Sequence, residues 1–264
     1  MAQCTPKSFD LTGKVALITG ASYGIGMAIA KAMAANGATI VFNDIKQELV
    51  DKGLASYAEA GIKAHGYVCD VTDEDAVNAM VAKITEEVGH INILVNNAGI
   101  IKRCDAIDVT PENWDAVDFL NEKMVFFLSQ AVAKQWVADK KGGKIINIAS
   151  MLSFQGGIRV PAYTSSKSAV MGMTKALANE WAKYGINVNA IAPGYMATNN
   201  TNQLRQDEDR SEEILARIPA GRWGTPEDMV GPCVFLASHA SDFVNGQILY
   251  ADGGILAYIG KQPK

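Results

Sequence analysis

The sequence has 264 residues, of which 48% are hydrophobic and 20% are charged. This composition is typical of a soluble globular protein that forms one large or two small α/β domains. The net charge of −4 and the pI of about 5.5 provide no electrostatic attraction to nucleic acid or to anionic lipid, so we expect neither as a partner.

The cysteines, the histidines and the amino-terminal residues exclude further classes of protein. The cysteines are far apart and form no C-x-x-C pair, so we expect reduced thiols in a cytoplasmic protein. The histidines have no partners at metal-ligand spacing, so we expect no metal site. The first ten residues lack the apolar core of a signal peptide, and no apolar run reaches the roughly 18 residues of a membrane span. The residues concerned are Cys4, Cys69, Cys104, Cys233, His65, His90 and His239.

A glycine-rich turn follows the first predicted strand. Val15–Thr19 is a short continuous apolar run, which predicts a strand buried on both faces of a parallel sheet. Gly20, Gly24 and Gly26 follow it, and a helical pattern then extends to about Ala35. Glycines at such a turn let the backbone approach a ligand closely, and the N–H groups that begin the helix attract phosphate. The turn therefore indicates a phosphate site, although the same glycines could merely permit a tight turn.

An acidic residue ends the second predicted strand, Thr39–Asn43. Asp44 lies about 20 residues after the glycine turn, where a carboxylate can accept hydrogen bonds from the adenosine ribose and repel a 2′-phosphate. We therefore expect NAD to be the preferred cofactor. NADP remains an alternative because Lys46 can offset the negative charge, and Asp44 could otherwise be a helix-capping aspartate.

Two more strands deliver polar segments to the same edge of the sheet. The pattern predicts strands at Lys63–Val68 and Ile93–Val95, and helices at Gln47–Ala60 and Asp73–Val88, the latter with Thr72 as its N-cap. Open parallel sheets bind ligands at the carboxyl ends of their strands. The segments that follow these two strands are Asp70-Val71 and Asn96-Asn97-Ala98-Gly99.

A long helix and a buried strand come next. Pro111 to about Asp139 is predicted as one helix with proline in its first turn, and Asn121 lies inside it. A mid-helix asparagine is usually solvated, and it matters only if a neighbouring group needs its amide. The apolar run Lys144–Ala149 predicts a strand that delivers Ser150 to the carboxyl edge.

Tyr163 and Lys167 are four residues apart in a predicted helix that extends to about Tyr184. Positions i and i+4 share a helix face, so the ammonium is expected beside the phenol. A free phenol has a pKa of about 10, and each unit of depression needs roughly 1.4 kcal/mol of preferential stabilisation of the phenolate. A nearby cation acts in that direction, so Tyr163 is a candidate general base. The alternative is an ordinary surface pair.

The remaining elements complete an alternation of strands and helices. They are a strand at Ile186–Ile191, the Pro193-Gly194 turn, a helix from Thr225 to about Ala237, and a last strand at Gln247–Ala251. The polar stretch 195–222 is long for a connection in such a chain, which is typical of a functional lid. The alternation predicts one doubly wound parallel α/β domain over residues 1–264.

Together these motifs resemble the short-chain dehydrogenase/reductase family over essentially the whole chain. Their joint occurrence in this order is highly specific. The resemblance implies a Rossmann-like sheet of about seven strands flanked by helices on both faces, and an oxidoreductase that transfers a hydride between NAD(P) and a CH–OH group. The motifs are Thr19-Gly20-x-x-x-Gly24-x-Gly26, Asp70, Asn96-Asn97-Ala98-Gly99, Asn121, Ser150, Tyr163-x-x-x-Lys167, and Pro193-Gly194 with Thr198.

The resemblance also implies residue roles. Tyr163 is expected to exchange the proton of the substrate hydroxyl, and Ser150 to hydrogen-bond the same oxygen. Lys167 is expected to hold the nicotinamide ribose and to lower the tyrosine pKa, while Asn121 anchors a water that links Lys167 to bulk solvent. The expected cofactor-binding residues are Gly20, Ser22, Tyr23, Gly24, Ile25, Gly26, Asp44, Asp70, Val71, Asn97, Ala98, Gly99, Tyr163, Lys167, Pro193, Gly194, Met196 and Thr198.

The expected substrate is a sugar acid. Residues 143–252 resemble one group of family members that act on open-chain sugar acids, and the first hundred residues and the tail resemble another. A carboxylate needs a cation, and Arg159 is the first choice because it lies between Ser150 and Tyr163 and arginine can form two parallel hydrogen bonds. Its alternative is an intersubunit or surface pair. The other candidates near the substrate are Arg103, Asn199 and Gln203, with Lys102 and Arg205 weaker.

Two other functions and one assembly remain open. A reductase of 3-oxoacyl thioesters or simple ketones would use the same Tyr163 and Lys167. A nicotinamide-sensing protein without turnover would need only the dinucleotide half, so the intact Asn121, Ser150, Tyr163 and Lys167 set counts against it. The long helices, the apolar tail and the resemblance together imply a homotetramer.

Overall fold

Seven parallel strands form one sheet at the centre of the computed structural model, which describes residues 5–260. Along the chain the strands are Val15–Thr19 (β1), Thr39–Asp44 (β2), Ala64–Val68 (β3), Ile91–Asn96 (β4), Gly143–Ile148 (β5), Ile186–Pro193 (β6) and Ile248–Ala251 (β7). Their order across the sheet is β3-β2-β1-β4-β5-β6-β7, and each neighbouring pair is parallel. The predicted doubly wound α/β fold is confirmed.

Helices cover both faces of the sheet. They are Gly24–Ala35 (α1), Gln47–Glu59 (α2), Glu74–Glu87 (α3), Pro111–Asp118 (α4), Met124–Ala138 (α5), Pro161–Trp181 (α6), Asn202–Gln206 (α7), Glu208–Leu215 (α8) and Val230–Ala237 (α9). Buried residues of α1, α2 and α9 pack on one face, and those of α3, α5 and α6 pack on the other.

The central strand β1 explains why the apolar runs of this sequence are continuous. All five of its residues are buried. Ile18 points into the core on the α1 side, whereas Leu17 points into the core on the α5 side, because successive side chains of a strand alternate between faces. A strand with a helix layer on each side must therefore be apolar at every position.

The sheet order reverses between β1 and β4, and this opens a crevice at their carboxyl ends. The two strand ends are tied together there. The hydroxyl of Thr19 accepts hydrogen bonds from the backbone N–H groups of Asn97 and Ala98, both at 3.0 Å. The Asn97 side chain donates to the Thr19 carbonyl at 2.8 Å. The crevice is therefore a fixed feature of the fold.

The structure refines one local prediction and shows another to be wrong. The long helix predicted from Pro111 contains a π-helical turn at Phe119–Lys123, between α4 and α5. No glycine or proline marks this turn in the sequence. The N-cap of α3 is Asp73 rather than Thr72, because the Asp73 carboxylate accepts the Ala76 N–H at 3.0 Å.

The stretch 195–222 is more ordered than its polar sequence indicates. It contains α7 and α8, and Ile214 of α8 is fully buried against Met151, Ile218 and Ile255. A 3-10 turn at Pro226–Met229 then leads directly into α9.

Several other features concern the predicted protein class. None of the helices within residues 5–260 is long and apolar enough to cross a membrane. Cys69, Cys104 and Cys233 are free thiols, whereas Cys4 lies outside the described residues. In the same part of the chain, no group of three or more His, Cys, Asp or Glu side chains is arranged to hold a metal ion.

Candidate active site

A cavity of about 1670 Å³ lies at the carboxyl edge of the sheet, above the crevice between β1 and β4. It brings together residues that are far apart in the sequence. The predicted site residues that line it are Gly20, Tyr23, Gly24, Ile25, Asp44, Asp70, Val71, Asn97, Ala98, Gly99, Arg103, Ser150, Arg159, Tyr163, Lys167, Pro193, Gly194, Met196, Thr198 and Asn199. Six others lie outside its lining, namely Ser22, Gly26, Lys102, Asn121, Gln203 and Arg205.

The turn before α1 has the geometry of a phosphate cradle. Gly24 has a φ of +63°, which glycine adopts without strain. A Cβ on Gly26 would lie 2.6 Å from the Asn97 Nδ2 atom and 2.9 Å from the Gly20 carbonyl oxygen, so only glycine fits at this position. The hydroxyl of Ser22 is buried and has no hydrogen-bond partner within residues 5–260. A close backbone approach, a free hydroxyl and the start of a twelve-residue helix fit the phosphates of a dinucleotide.

Asp44 ends β2 at the far side of the same cavity. Its carboxylate is 8% exposed and accepts the Ile45 N–H at 2.9 Å. Asp70 also lines the cavity, but its carboxylate caps its own turn by accepting the Thr72 N–H and hydroxyl at 2.9 and 2.7 Å. Asp44 therefore has more free acceptor capacity than Asp70 for a ligand in the cavity.

Asn121 supports the cavity from beneath. It lies in the π-helical turn, fully buried, and its side chain both donates to the carbonyl and accepts from the N–H of Ile100, each at 2.9 Å. The amide also donates to Ser166 at 3.3 Å. π-helical turns concentrate at functional sites. Here the turn aims an amide at the segment that follows Gly99.

Ser150 and Lys167 are fixed by main-chain contacts. Ser150 caps the 3-10 turn Met151–Ser153, its hydroxyl accepting the Leu152 N–H at 3.1 Å. The Ser153 hydroxyl donates to the Lys167 carbonyl at 2.6 Å, which ties this turn to α6. The ammonium of Lys167 is buried and donates to the Ile148 carbonyl at 2.6 Å.

The expected depression of the Tyr163 pKa is not found. Burial raises the pKa of Tyr163 above its ordinary value, and the Ser150 side chain and the positive charge of Arg103 oppose this only in part. Burial also lowers the pKa of Lys167 to about 8. The cation that opposes the rise of the Tyr163 pKa is Arg103, while the Lys167 ammonium is directed at the Ile148 carbonyl oxygen.

The two predicted arginines differ in their partners. Arg159 lines the cavity, but its Nε forms an ion pair with the Asp105 carboxylate at 2.8 Å. Within residues 5–260, Arg103 forms no ion pair. Arg103 is thus the cation of this cavity whose charge is not neutralised by Asp105.

The weaker candidates have other contacts. Lys102 donates to the Asn113 side chain at 2.9 Å, and Arg205 to the Thr198 carbonyl at 3.3 Å. Arg210 of α8, which is not among the predicted residues, also lines the cavity and pairs with Glu213. No sequence signal distinguishes Arg210 from the other charged residues of its stretch.

The geometry combines three chemical capacities in one cavity. A glycine turn can hold phosphates, a tyrosine and a serine can exchange a proton with and hydrogen-bond one substrate oxygen, and a free guanidinium can bind an anion. That combination suits a nicotinamide-dependent oxidation of an anionic alcohol, in which the cofactor supplies the redox chemistry and the protein supplies orientation.

Comparison with known proteins agrees with this arrangement. A family model described as enoyl-(acyl carrier protein) reductase matches residues 20–256. A 2-dehydro-3-deoxy-D-gluconate 5-dehydrogenase from Dickeya dadantii is 59% identical over 95% of this chain and 98% of that protein. A gluconate 5-dehydrogenase from Gluconobacter oxydans is 44% identical over 95% of this chain and 97% of that protein.

A solved structure is also similar. The gluconate 5-dehydrogenase from Burkholderia cenocepacia, in complex with NADP and tartrate, superimposes with a TM-score of 0.92 at 40% identity, covering 96% of this chain and 99% of that one. The chain belongs to the short-chain dehydrogenase/reductase family. It is an NAD(P)-dependent dehydrogenase that acts on a CH–OH group.

Proposed function

We propose that this chain is a 2-dehydro-3-deoxy-D-gluconate 5-dehydrogenase, which interconverts the C5 hydroxyl of that sugar acid and the corresponding ketone. The observation that carries the proposal is the guanidinium of Arg103, which forms no ion pair within residues 5–260 and lines the same cavity as Tyr163 and the dinucleotide cradle. The relatives with this activity, at 47–59% identity, support it. Gluconate 5-dehydrogenase is the second candidate, because the Gluconobacter relative also aligns over nearly the whole chain.

The dinucleotide would be held by the glycine turn, by Asp44 at its ribose and by Lys167 at the nicotinamide end. When bound, it accepts the hydrogen of the substrate carbon as a hydride. Tyr163 takes the proton of the substrate hydroxyl, and Ser150 donates a hydrogen bond to the same oxygen. These donors stabilise the negative charge that develops on the oxygen during oxidation. Asn121 is proposed to anchor a water that returns the proton to solvent through Lys167.

The carboxylate of the substrate is assigned first to Arg103. A guanidinium can form two parallel hydrogen bonds with a carboxylate, and that of Arg103 has no competing acid among the described residues. Arg159 is placed second because Asp105 already forms an ion pair with it. Asn199, which lines the cavity, is a further candidate, and Gln203 is the weakest because it lies outside the lining.

The preferred cofactor is proposed to be NAD. The buried Asp44 carboxylate at the end of β2 repels a 2′-phosphate and accepts hydrogen bonds from ribose hydroxyls. The exposed side chains of Ile45 and Lys46 follow it. Because the lysine charge can partly offset that of Asp44, we also expect a slower reaction with NADP.

Three organisational features complete the proposal. The chain acts as a single domain over residues 1–264, in which the segment 195–222 covers the substrate. It assembles as a homotetramer, for which the exposed Phe154 and Tyr250 pair, with ring centroids 4.9 Å apart at the edge strand β7, is supporting evidence. It works in the cytoplasm, as the free thiols suggest.

A substrate panel tests the proposal. The purified chain is assayed with NAD and NADP on 2-dehydro-3-deoxygluconate, gluconate, their 5-keto forms and a 3-oxoacyl thioester. We expect kcat/KM to be highest with 2-dehydro-3-deoxygluconate and NAD. Reduction of the thioester without turnover of any sugar acid would overturn the proposal, and a preference for gluconate would select the second candidate.

A further inference from the structure

The loop residue Arg159 has an unusual backbone conformation. Its φ is +64°, in the left-handed region that glycine favours. A non-glycine residue is strained in this conformation, which persists only where the surrounding structure determines it. Gly156 and Gly157 in the same loop would adopt this φ without strain. We therefore expect Arg159 to form a specific contact that compensates for the strain.

Two contacts join Arg159 to the segment that follows β4. Its carbonyl oxygen accepts the Cys104 N–H at 2.9 Å, and its Nε forms an ion pair with the Asp105 carboxylate at 2.8 Å. The two side chains of the ion pair are 59% and 63% exposed, so the pair alone contributes little to stability. The ion pair matters for geometry, because it joins the same two segments as the main-chain hydrogen bond does.

These contacts fix one end of a short span that carries Arg103. The other end is Ile100, whose N–H and carbonyl are both bonded to Asn121. Residues 101–103 thus lie between two anchors, one on the π-helical turn and one on Arg159. Since a three-residue span between fixed ends has little freedom, the anchors determine where the main chain of Arg103 lies, and with it the region that the guanidinium can reach.

The loop of Arg159 is in turn fixed to the helix that carries Tyr163. The N–H of Gly157 donates to the Thr164 hydroxyl at 3.2 Å, and the N–H of Thr164 donates to the Val160 carbonyl at 3.0 Å. A continuous set of contacts therefore connects Arg103, through Asp105 and Arg159, to the first turn of α6. Arg103 is also the charged residue whose field acts on the Tyr163 hydroxyl.

We propose that Asp105 and Arg159 form a clip whose function is to hold Arg103 in the cavity that contains Tyr163, and that both are positioning residues. The clip rests on the proposed function, in which Arg103 binds the substrate carboxylate. Neither partner of the clip needs to touch the substrate. Opening the clip lets the guanidinium move away from the phenol, which weakens substrate binding and makes the phenol less acidic.

A double-mutant cycle tests the clip. Steady-state kinetics over pH 6–10 are measured for the wild type, Asp105→Asn, Arg103→Met and the double variant, with the best substrate of the panel. We expect Asp105→Asn to raise KM several-fold and to shift the rising limb of the pH profile for oxidation to higher pH, in the same direction as Arg103→Met but less. In the Arg103→Met background, Asp105→Asn should change neither quantity. The affinity for NAD should stay at the wild-type value in all variants.

Asp108→Asn is the matched control, since Asp108 is an exposed carboxylate on the same segment and forms no ion pair within residues 5–260. Asp105→Arg combined with Arg159→Asp restores an ion pair with reversed charges. This double variant should therefore have a KM between that of Asp105→Asn and that of the wild type. The clip is overturned if Asp105→Asn behaves like Asp108→Asn, or if its effects add fully to those of Arg103→Met.

The outcome also separates the clip from the proposed function. If Arg103→Met changes KM while Asp105→Asn does not, the carboxylate site stands and the clip is wrong. If both variants shift the pH profile without changing KM, the clip stands and the carboxylate role of Arg103 is wrong. An Arg159→Met variant that raises KM further in the Arg103→Met background would make Arg159 a direct ligand and overturn the clip.

Discussion

The Nζ atom of Lys167 lies 5.7 Å from the centroid of the Tyr163 ring, one helical turn along α6. Lys167 as a whole residue is only 4% exposed. Its ammonium forms one hydrogen bond among the described residues, to the Ile148 carbonyl. This position gives the cavity a cation close to the phenol at the cost of burying that cation. The thermodynamic consequence is a pKa of Lys167 of about 8, below its ordinary 10.5.

Replacing this lysine should stabilise the protein. The depressed pKa means that burying the charged lysine destabilises the folded protein by roughly 3 kcal/mol below pH 8. Losing its hydrogen bond to Ile148 offsets about 1 kcal/mol of the stability gained on substitution. We expect Lys167→Met to raise the free energy of unfolding by about 2 kcal/mol at pH 7 and to abolish most activity. Urea unfolding at pH 7 measures the first effect, with Lys175→Met, an exposed lysine of the same helix, as a control that changes little.

The sign of the pH dependence gives a second check on Lys167. Below pH 8 the lysine is protonated in both the folded and unfolded states, and the penalty is fully present. Between pH 8 and about 10.4 the folded state releases the proton while the unfolded state keeps it. The wild type should therefore gain stability over this range relative to Lys167→Met. Parallel stability curves for the two proteins would contradict the burial of a titrating lysine.

Tyr163→Phe should leave the fold and NAD binding intact and lower kcat by roughly 100- to 10,000-fold, the usual contribution of a general acid or base. The phenol oxygen is removed, but the ring that packs in the cavity remains. Calorimetric titration with NAD and single-turnover kinetics separate binding from chemistry. Turnover near the wild-type rate would show that another group exchanges the proton.

The two reaction directions should differ in their response to pH. Because the pKa of Tyr163 is raised above its ordinary value, the phenol is protonated at neutral pH. Ketone reduction needs that protonated form, so its kcat should be nearly constant from pH 6 to 8. Alcohol oxidation needs the phenolate, so its rate should rise by up to about tenfold per pH unit over the same range. A pH-independent oxidation rate would mean that bound ligands remove the effect of burial.

The elements of this fold could be predicted from the sequence because their signals are local. A continuous apolar run such as Val15–Thr19 requires two covering layers, and the glycines after it require a tight turn. The motif from Tyr163 to Lys167 has a spacing that only a helix turns into a contact. These signals sufficed for the sheet and for the edge at which the cavity lies.

The electrostatics of the site could not be predicted in the same way. The spacing of Tyr163 and Lys167 shows that they are neighbours. Whether the pKa of the phenol is raised or lowered depends on burial, which is determined by residues far away in the sequence. Arg103 and Arg159 are equivalent by composition, and only the position of Asp105 distinguishes them. The π-helical turn at Asn121 likewise has no glycine or proline to mark it.

Asp44→Ala should shift the cofactor preference towards NADP. Removing the carboxylate relieves its repulsion of a 2′-phosphate and removes an acceptor for the ribose hydroxyls of NAD. We expect the ratio of kcat/KM for NADP to that for NAD to rise roughly tenfold or more, the equivalent of about 1.4 kcal/mol. Asp51→Ala, an exposed aspartate of α2 outside the cavity lining, is the control. An unchanged ratio would remove Asp44 from the cofactor site.

Gly26→Ala should weaken dinucleotide binding because the added Cβ has no room. It would lie 2.6 Å from the Asn97 Nδ2 atom and 2.9 Å from the Gly20 carbonyl, and the second of these is backbone that cannot rotate away. Overpacking of this kind costs about 1–3 kcal/mol, and any shift that relieves it moves the glycine turn or the Asn97 segment, both of which line the cavity.

Gly172→Ala is the matched control for this substitution, because a Cβ at this exposed position of α6 meets no atom within 4 Å. It should stabilise the protein by about 0.5–1 kcal/mol through the higher helix propensity of alanine, with NAD affinity unchanged. Titration of both variants with NAD, together with thermal unfolding, separates a local clash from a general loss of fold. Wild-type NAD affinity in Gly26→Ala would mean that the turn before α1 does not hold the phosphates, since a displaced turn cannot keep its N–H groups directed at the same oxygen atoms.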